Sequence, residues 1–132
     1  MTMMQTTQSA LREYQEIKTG SEVEDATPHR LIQLMMERAL AKLMLARTHM
    51  ADGNIAEKGA LIGDAMDIIS ALQNCLNYKA DEKLAGNFDA LYDYMLRRLL
   101  SANLDDDTSI VSEVIDLLGE LKEAWDAIQD KE

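Results

Sequence analysis

Cysteine and proline are almost absent from this chain, and aromatic residues are few. Its 132 residues include one cysteine, Cys75, one proline, Pro28, and only 5% aromatic residues. A single cysteine excludes an intrachain disulfide, and Cys75 falls at an apolar helical position, where we interpret it as a small buried side chain. The 47% of apolar residues are mainly helix formers rather than strand formers. The sequence therefore predicts an all-α protein.

Basic residues are scarce as well. The chain has 13 Lys and Arg against 24 Asp and Glu, which gives a formal net charge of -11. Such a surface repels phosphates, so nucleic acid binding would require a local cluster of basic residues. The densest group comprises Arg97 and Arg98 with Lys79 and Lys83 upstream, and it lies among acidic residues. We interpret it as a solvated face and expect no nucleic acid partner.

The sequence contains no long apolar run. Residues 1–8 have neither a basic start nor the apolar run of a signal peptide, and no later stretch approaches the roughly 20 apolar residues that span a bilayer. We therefore expect a cytoplasmic protein that does not insert into a membrane.

Patterns that carry catalysis or bind metals are also missing. Neither His29 nor His49 follows a glutamate three residues earlier, as in di-iron bundles. Residues 105–116 lack the glycine and the final glutamate of a calcium loop, and no glycine-rich phosphate loop or Cys-x-x-Cys pair occurs. We expect no enzyme activity, no cofactor and no metal. A signalling or phosphorelay bundle that uses one of the two histidines is the alternative from another class.

Four segments with helical periodicity follow residue 26. The first begins at Thr27 and Pro28, a capping hydroxyl and a residue suited to the first helical position, and stops at Gly53, which suits a left-handed end. The second covers about 54–76 and the third ends near 103. The fourth follows three aspartates at 105–107, which supply capping oxygens at its start. Because short turns favour antiparallel neighbours, we predict an antiparallel up-down four-helix bundle over residues 27–130.

The apolar residues of these segments recur at steps of three and four, which is typical of helices packed in a bundle. In the third segment this seam slips once. The predicted core positions are Ile32, Met36, Ala39, Leu43, Ala46, Met50, Ile62, Ala65, Ile69, Leu72, Leu76, Leu84, Phe88, Leu91, Met95, Leu99, Ala102, Val111, Val114, Leu118, Leu121, Trp125 and Ile128.

Residues 1–26 are different, being polar and acidic. Leu11, Tyr14 and Ile17 stand three residues apart, which would place them on one side of a short helix. Since an isolated helix below about 12 residues rarely persists in water, this helix needs a surface to lie on. We predict a mobile N-terminal arm that contains this short amphipathic helix.

The first three helices have more apolar residues than one bundle core needs, which is about three in every seven. Contiguous apolar surface on a soluble protein usually binds something, so we predict a groove for an amphipathic partner helix, covered by the arm when the partner is absent. An ordinary bundle with partly exposed Leu and Ala is the plainer alternative. The surplus residues beside the seams are Leu31, Leu34, Ala41, Leu45, Leu61, Ile68, Cys75, Tyr92, Leu96 and Leu100.

Residues 87–107 carry the most specific pattern, with Leu-Tyr-Asp-Tyr-Met at 91–95, a basic and leucine-rich turn, and an Ala-Asn exit. Residues 26–32 read Ala-Thr-Pro-His-Arg-Leu-Ile, and further matching elements are the Asp-Gly-Asn turn at 52–54, the apolar pattern of the second helix and Ala-Trp at 124–125. In this combination and order, the chain resembles the flagellin export chaperones, the FliS family, over about residues 10–128.

The resemblance implies a cytoplasmic helical bundle that binds the disordered C-terminal region of flagellin. Such a protein prevents premature polymerisation and, when loaded, meets the type III flagellar export apparatus, as a monomer or weak dimer. The resemblance implies partner contacts at Tyr14, Ile17, Leu31, Leu34 and Tyr92. A chaperone for another axial or filament protein is a further alternative.

Two departures from the family pattern matter. Asp81 and Glu82 stand where relatives usually have two glycines, and Arg38 stands where they often have a glycine. Because an arginine in place of glycine reshapes a close helix approach, we expect Arg38 to alter partner preference. We expect no effect on the bundle.

Overall fold

The computed structural model describes residues 27–76 and 82–128, and the regular secondary structure of these residues is helical throughout. Helix α1 spans Pro28–Ala51, α2 spans Ile55–Asn74, α3 spans Glu82–Asp105 and α4 spans Thr108–Ala127. The predicted all-α class is confirmed. The predicted arm, including Tyr14 and Ile17, lies outside the described residues.

The four helices pack in a ring. Helix α1 packs against α2 and α4, α3 packs against the same two helices, and over the described residues the backbones of the diagonal pairs do not come close to each other. The side chain of Gln33, early in α1, donates to Asp126, late in α4, at 2.7 Å, and Arg47, late in α1, donates to Ser112, early in α4, at 3.1 Å. These contacts show that α1 and α4 are antiparallel, as the predicted up-down bundle requires.

Local sequence sets the helix ends. The hydroxyl of Thr27 accepts a hydrogen bond from the Arg30 amide at 3.1 Å, which caps α1. Gly53 has a φ of 76° in the turn after α1, a conformation that glycine adopts without steric cost. Asp107 caps α4, since its carboxylate accepts from the Ser109 amide at 2.9 Å. All three features match the sequence prediction.

The core is formed by apolar side chains from all four helices. Fully burying one Leu, Ile or Met side chain contributes about 1.5–3 kcal/mol relative to leaving it exposed. The largest fully buried side chains are Tyr92, Met35, Met36, Leu43, Ile62, Ile68, Ile69, Leu72, Met95, Leu99, Leu118 and Val111.

The seam of α3 differs from the prediction. The structure buries Ala85 and Tyr92, whereas Leu84 is 37% exposed and Leu91 is half-buried. With Ala85 and Tyr92 in place, the seam alternates steps of three and four without the predicted slip. The prediction of Leu84 in the core was wrong, and Leu91 packs against the edge of the core rather than inside it. The prediction ranked leucine above a neighbouring alanine or tyrosine.

Other predicted burials also need correction. Ile68, predicted to lie beside the seam, is fully buried in the core. Cys75 is exposed, because α2 ends at Asn74 and Cys75 forms its C-cap rather than a buried helical position. Ile32 is half-buried and Ile128, just past the end of α4, is 37% exposed.

One lysine is buried at the turn between α3 and α4. Lys58, in the first turn of α2, is 5% exposed, and its ammonium donates to the Asn103 carbonyl at 2.7 Å. The same ammonium lies 3.2 Å from a carboxylate oxygen of Asp106, a residue with a φ of 53°. Carbonyls in the last turn of a helix lack partners within the helix. Lys58 satisfies one of them and fixes the turn against α2.

We expect Lys58→Ala to lower the free energy of unfolding by about 1–3 kcal/mol, because it leaves the Asn103 carbonyl without its donor. Urea denaturation measures the change. Lys122→Ala is the matched control, since Lys122 forms an exposed i,i+4 ion pair with Asp126 at 2.7 Å and such pairs contribute less than about 1 kcal/mol. Equal losses in the two variants would contradict the role of Lys58.

A polar cluster connects α3 and α4. The guanidinium of Arg98 donates to Glu113 at 2.8 Å, and the hydroxyl of Tyr94 donates to the other Glu113 oxygen at 2.9 Å. These two hydrogen bonds, that of Arg98 first, hold the pKa of Glu113 below its ordinary value of 4.5. The bond to Glu113 also raises the pKa of Tyr94, because the phenol must keep its proton to donate.

The lowered pKa of Glu113 predicts a pH dependence of stability. A carboxyl group with a depressed pKa in the folded state stabilises the fold above its ordinary pKa, and this stabilisation is lost as the pH falls through the folded value. We expect Glu113→Gln to lower the melting temperature at neutral pH and to have a smaller effect below the ordinary value of 4.5. Thermal unfolding followed by circular dichroism measures both. If the difference in melting temperature between the two proteins grows on acidification, the stabilising role of the Glu113 carboxylate is contradicted.

Candidate partner-binding surface

An apolar stripe follows the side of α1 that borders α2. Leu45 follows Leu34 by eleven residues, and Lys42 follows Leu31 by the same spacing, which is about three helical turns. The ammonium of Lys42 donates to Asp64 of α2 at 2.9 Å. Because Lys42 faces α2 and shares its side of α1 with Leu31, the stripe lies along the boundary between the two helices.

This stripe is partly open to solvent. Leu31 and Leu34 are half-buried and pack against the edge of the core, whereas Leu45 is 54% exposed. Side chains that are held on one side and open on the other suit the apolar face of a ligand helix. We call this the α1–α2 surface, which comprises Leu31, Leu34, Ala41, Leu45, Leu61 and Cys75.

Arg38 divides the apolar stripe. It stands seven residues after Leu31 and seven before Leu45, so it shares their side of α1, and it is half-buried. A guanidinium presents several donors in a fixed plane, which gives the middle of the stripe a polar element between two apolar ends. The departure from the family pattern therefore lies within the α1–α2 surface.

Tyr92, predicted to contact the partner, lies in the core. Its side chain is 1% exposed, and its ring meets the edge of Phe88 with the centroids 6.1 Å apart. Burial raises the pKa of the Tyr92 phenol well above its ordinary range. With the helices arranged in this way, the ring offers no exposed face to a partner, and we do not include it in the surface.

The signature residues around Tyr92 serve the bundle in the same way. Asp93 pairs with Arg97 one turn later, at 3.2 Å, and Tyr94 binds Glu113 of α4. Met95 is fully buried. The residue types of this run are therefore explained largely by packing and by contacts between neighbouring turns and helices.

Two exposed apolar residues, Ile55 and Leu104, lie at the boundary between α2 and α3 and were not predicted from the sequence. Leu96 is half-buried and Leu100 is 53% exposed, as expected of an apolar edge on α3. Leu104 is 77% exposed and Ile55 is 71% exposed, and neither was predicted. The four-residue spacing of Leu96, Leu100 and Leu104 was the signal that could have revealed the longer edge.

The two histidines make contacts within the fold. The ring of His29 stacks on Trp125 with centroids 4.8 Å apart, and the Trp125 indole donates to the His29 carbonyl oxygen at 3.0 Å. The Nδ1 atom of His49 lies 3.0 Å from the side-chain nitrogen of Asn54. Over residues 27–76 and 82–128, no group of three or more His, Cys, Asp or Glu side chains is placed to hold a metal ion.

The helices show no membrane-spanning character. Of those described, none combines the length and the apolar composition needed to cross a bilayer. The candidate site lies on the side of the bundle, where open apolar side chains rest on a packed core.

Comparison with known proteins places the chain in a family. Residues 10–132 match the family model described as flagellar protein FliS. The flagellar secretion chaperone FliSB of Pseudomonas aeruginosa is 47% identical over 119 residues, which cover 90% of this chain and 94% of that protein. The flagellar secretion chaperones FliS of Vibrio cholerae and Salmonella typhimurium are 35% and 36% identical, over 90% and 95% of this chain and 88% and 93% of theirs. The chain therefore belongs to the FliS family of flagellar proteins.

Proposed function

We propose that this protein is a cytoplasmic chaperone that binds the disordered C-terminal region of flagellin and delivers it to the type III flagellar export apparatus. The observation that carries the proposal is the α1–α2 surface, where apolar side chains remain partly exposed on a rigid bundle. The relatives named above are flagellar secretion chaperones, which supports this class of client.

The chaperone acts by covering an apolar face of its client. An amphipathic client segment lies along α1 as a helix, and its apolar side chains fill the gaps beside Leu34 and Leu45. Once that face is covered, the client can no longer use it to associate with other copies. Folding on binding costs about 2–5 kcal/mol, so the contact must be long enough to offset this cost.

No chemical step is needed in this proposal. Binding is stoichiometric and reversible, it uses no cofactor, and the chaperone itself is a monomer or weak dimer. Arg38 gives the surface a polar element at its centre, so the apolar contacts with the client divide into two parts. Leu31 and Leu34 at one end and Leu45 at the other anchor the apolar contacts.

Isothermal titration of the chain with a peptide of about 40 residues from the C-terminus of the cognate flagellin tests the proposal, since a contact of standard size engages about 20–30 residues a side. We expect saturable binding that Leu45→Ser weakens by about tenfold with only a small decrease in melting temperature, because Leu45 is half exposed in the free protein.

Ile128→Ser is the matched control, because it removes an exposed apolar side chain away from the surface. If the flagellin peptide does not bind and a segment from another axial protein does, that protein rather than flagellin is the client. Equal weakening by Leu45→Ser and Ile128→Ser would contradict the assignment of the surface.

The two tyrosines assigned by resemblance are expected to behave in opposite ways. Tyr14→Ala weakens peptide binding and barely changes stability, if the arm contributes to the contact. Tyr92→Ala lowers the free energy of unfolding by about 3–5 kcal/mol, because it empties a buried aromatic site. Titration and urea denaturation of both variants separate the effects. Loss of stability in Tyr14→Ala would show instead that the arm is structural.

A further inference from the structure

The flank of α2 opposite the α1–α2 surface carries a second apolar feature. The side-chain amide of Gln73 donates to Asp89 at 2.8 Å, which marks the faces of α2 and α3 that meet there. Ile55 precedes Gln73 by eighteen residues, or about five turns, and Leu100 follows Asp89 by eleven, or about three turns. Both side chains therefore point along the boundary between α2 and α3.

The far end of this boundary is the most exposed. Ile55 begins α2 and Leu104 lies in the last turn of α3, and the Lys58 contact with Asn103 brings these two ends together. Ile55, Leu100 and Leu104 are 71%, 53% and 77% exposed. Three large apolar side chains are thus left open at one end of the same boundary.

Glycines line the α2 side of this boundary. Gly59 and Gly63 follow Ile55 at intervals of four residues, and a Cβ atom added at either position would meet nothing within 4 Å. Next along α2 comes Met66, which is half-buried like Leu96 of α3. Because the two glycines present no side chain on α2, while Leu96, Leu100 and Leu104 stand on α3, another helix could come close to the α2 backbone here, and we call this boundary the trough.

Both ends of the trough are acidic. Asp89 and Asp93 lie at one end and Asp105 and Asp106 at the other, about 24 Å apart along α3 at 1.5 Å per residue. Lys58 pairs with Asp106 and Arg97 pairs with Asp93, which leaves one carboxylate at each end, Asp89 and Asp105, without a cation partner among the described residues. An occupant with basic residues at both ends would complement this arrangement.

A second copy of the chain does not fit the trough. In a two-fold symmetric contact between troughs, the acidic ends of one copy would meet the acidic ends of the other. The N-terminal residues 1–26 complement the acidic ends less well than a basic helix would, since they contain five acidic and two basic residues. That segment joins α1 at Thr27, at the end of the bundle opposite Ile55. Residues 77–81 and 129–132 also adjoin the helices at that opposite end.

We propose that the trough between α2 and α3 binds an amphipathic helix of a partner protein, about 16 residues long, with an apolar face and Lys or Arg at both ends. Its apolar residues cover Ile55, Leu100 and Leu104, and they approach the α2 backbone at Gly59 and Gly63. Its basic ends lie near the four carboxylates. This site is separate from the α1–α2 surface and does not depend on the proposed client.

A synthetic 16-residue helix with Leu and Ala on one face and two arginines at each end is a suitable probe. A matched peptide carries glutamates in place of the arginines. We expect the arginine peptide to shift the amide signals of residues 55–63 and 96–104 in an isotope-labelled chain. The glutamate peptide should bind at least about tenfold more weakly, because its ends meet carboxylates.

Gly63→Leu fills the trough and should weaken binding of the arginine peptide by at least about tenfold. The melting temperature should be kept or raised, because leucine favours a helix more than glycine does. Gly119→Leu is the matched control, since that glycine of α4 also has no neighbour within 4 Å of an added Cβ. Leu104→Ser provides an independent loss of binding at a side chain that is 77% exposed.

Several results would overturn the proposal. Shifts confined to the α1–α2 surface, equal binding of the two peptides, or no effect of Gly63→Leu and Leu104→Ser would each do so. Self-association that Gly63→Leu abolishes would assign the trough to a second copy. Displacement of the arginine peptide by the flagellin peptide would assign it to the client. Since the flagellin titration is measured separately, failure of one proposal does not imply failure of the other.

Discussion

Burial of one apolar seam per helix is the constraint on which the rest of this structure depends. In α3 the seam includes Phe88, Tyr92 and Met95, at alternating steps of four and three. Each helix can turn only one side toward the core, so the seam also fixes which residues remain outside. Because Tyr92 is inside, Leu96 and Leu100 are brought to the boundary with α2, and the exposed surfaces follow from the packing.

Polar contacts between helices then fix the position of each helix along the axis of its neighbour. Lys58 joins the start of α2 to the end of α3, and Glu113 joins α4 to the middle of α3 through Arg98 and Tyr94. An apolar seam alone tolerates some sliding, whereas hydrogen bonds with defined partners do not. These contacts keep the open side chains in fixed positions, and a preorganised surface loses less free energy when it binds a ligand.

The two proposed surfaces on the flanks of α2 differ in their charge pattern. The α1–α2 surface has the guanidinium of Arg38 at its centre, whereas the trough has carboxylates at its ends, so the ligands proposed for them differ as well. Exposed leucines would ordinarily favour association of the protein with itself. A net charge of -11 opposes this, because copies of the chain repel one another.

The sequence by itself determined the helical class, the capped ends at Thr27, Gly53 and Asp107, and most of the core, because these depend on local propensity and on the spacing of apolar residues. It also predicted Leu31 and Leu34 at an edge. Only the tertiary structure decided that Tyr92 is enclosed and that Ile55 and Leu104 stay open. Side chains of similar polarity compete for the core, and that choice depends on the rotation and length of the neighbouring helices, which no local pattern contains.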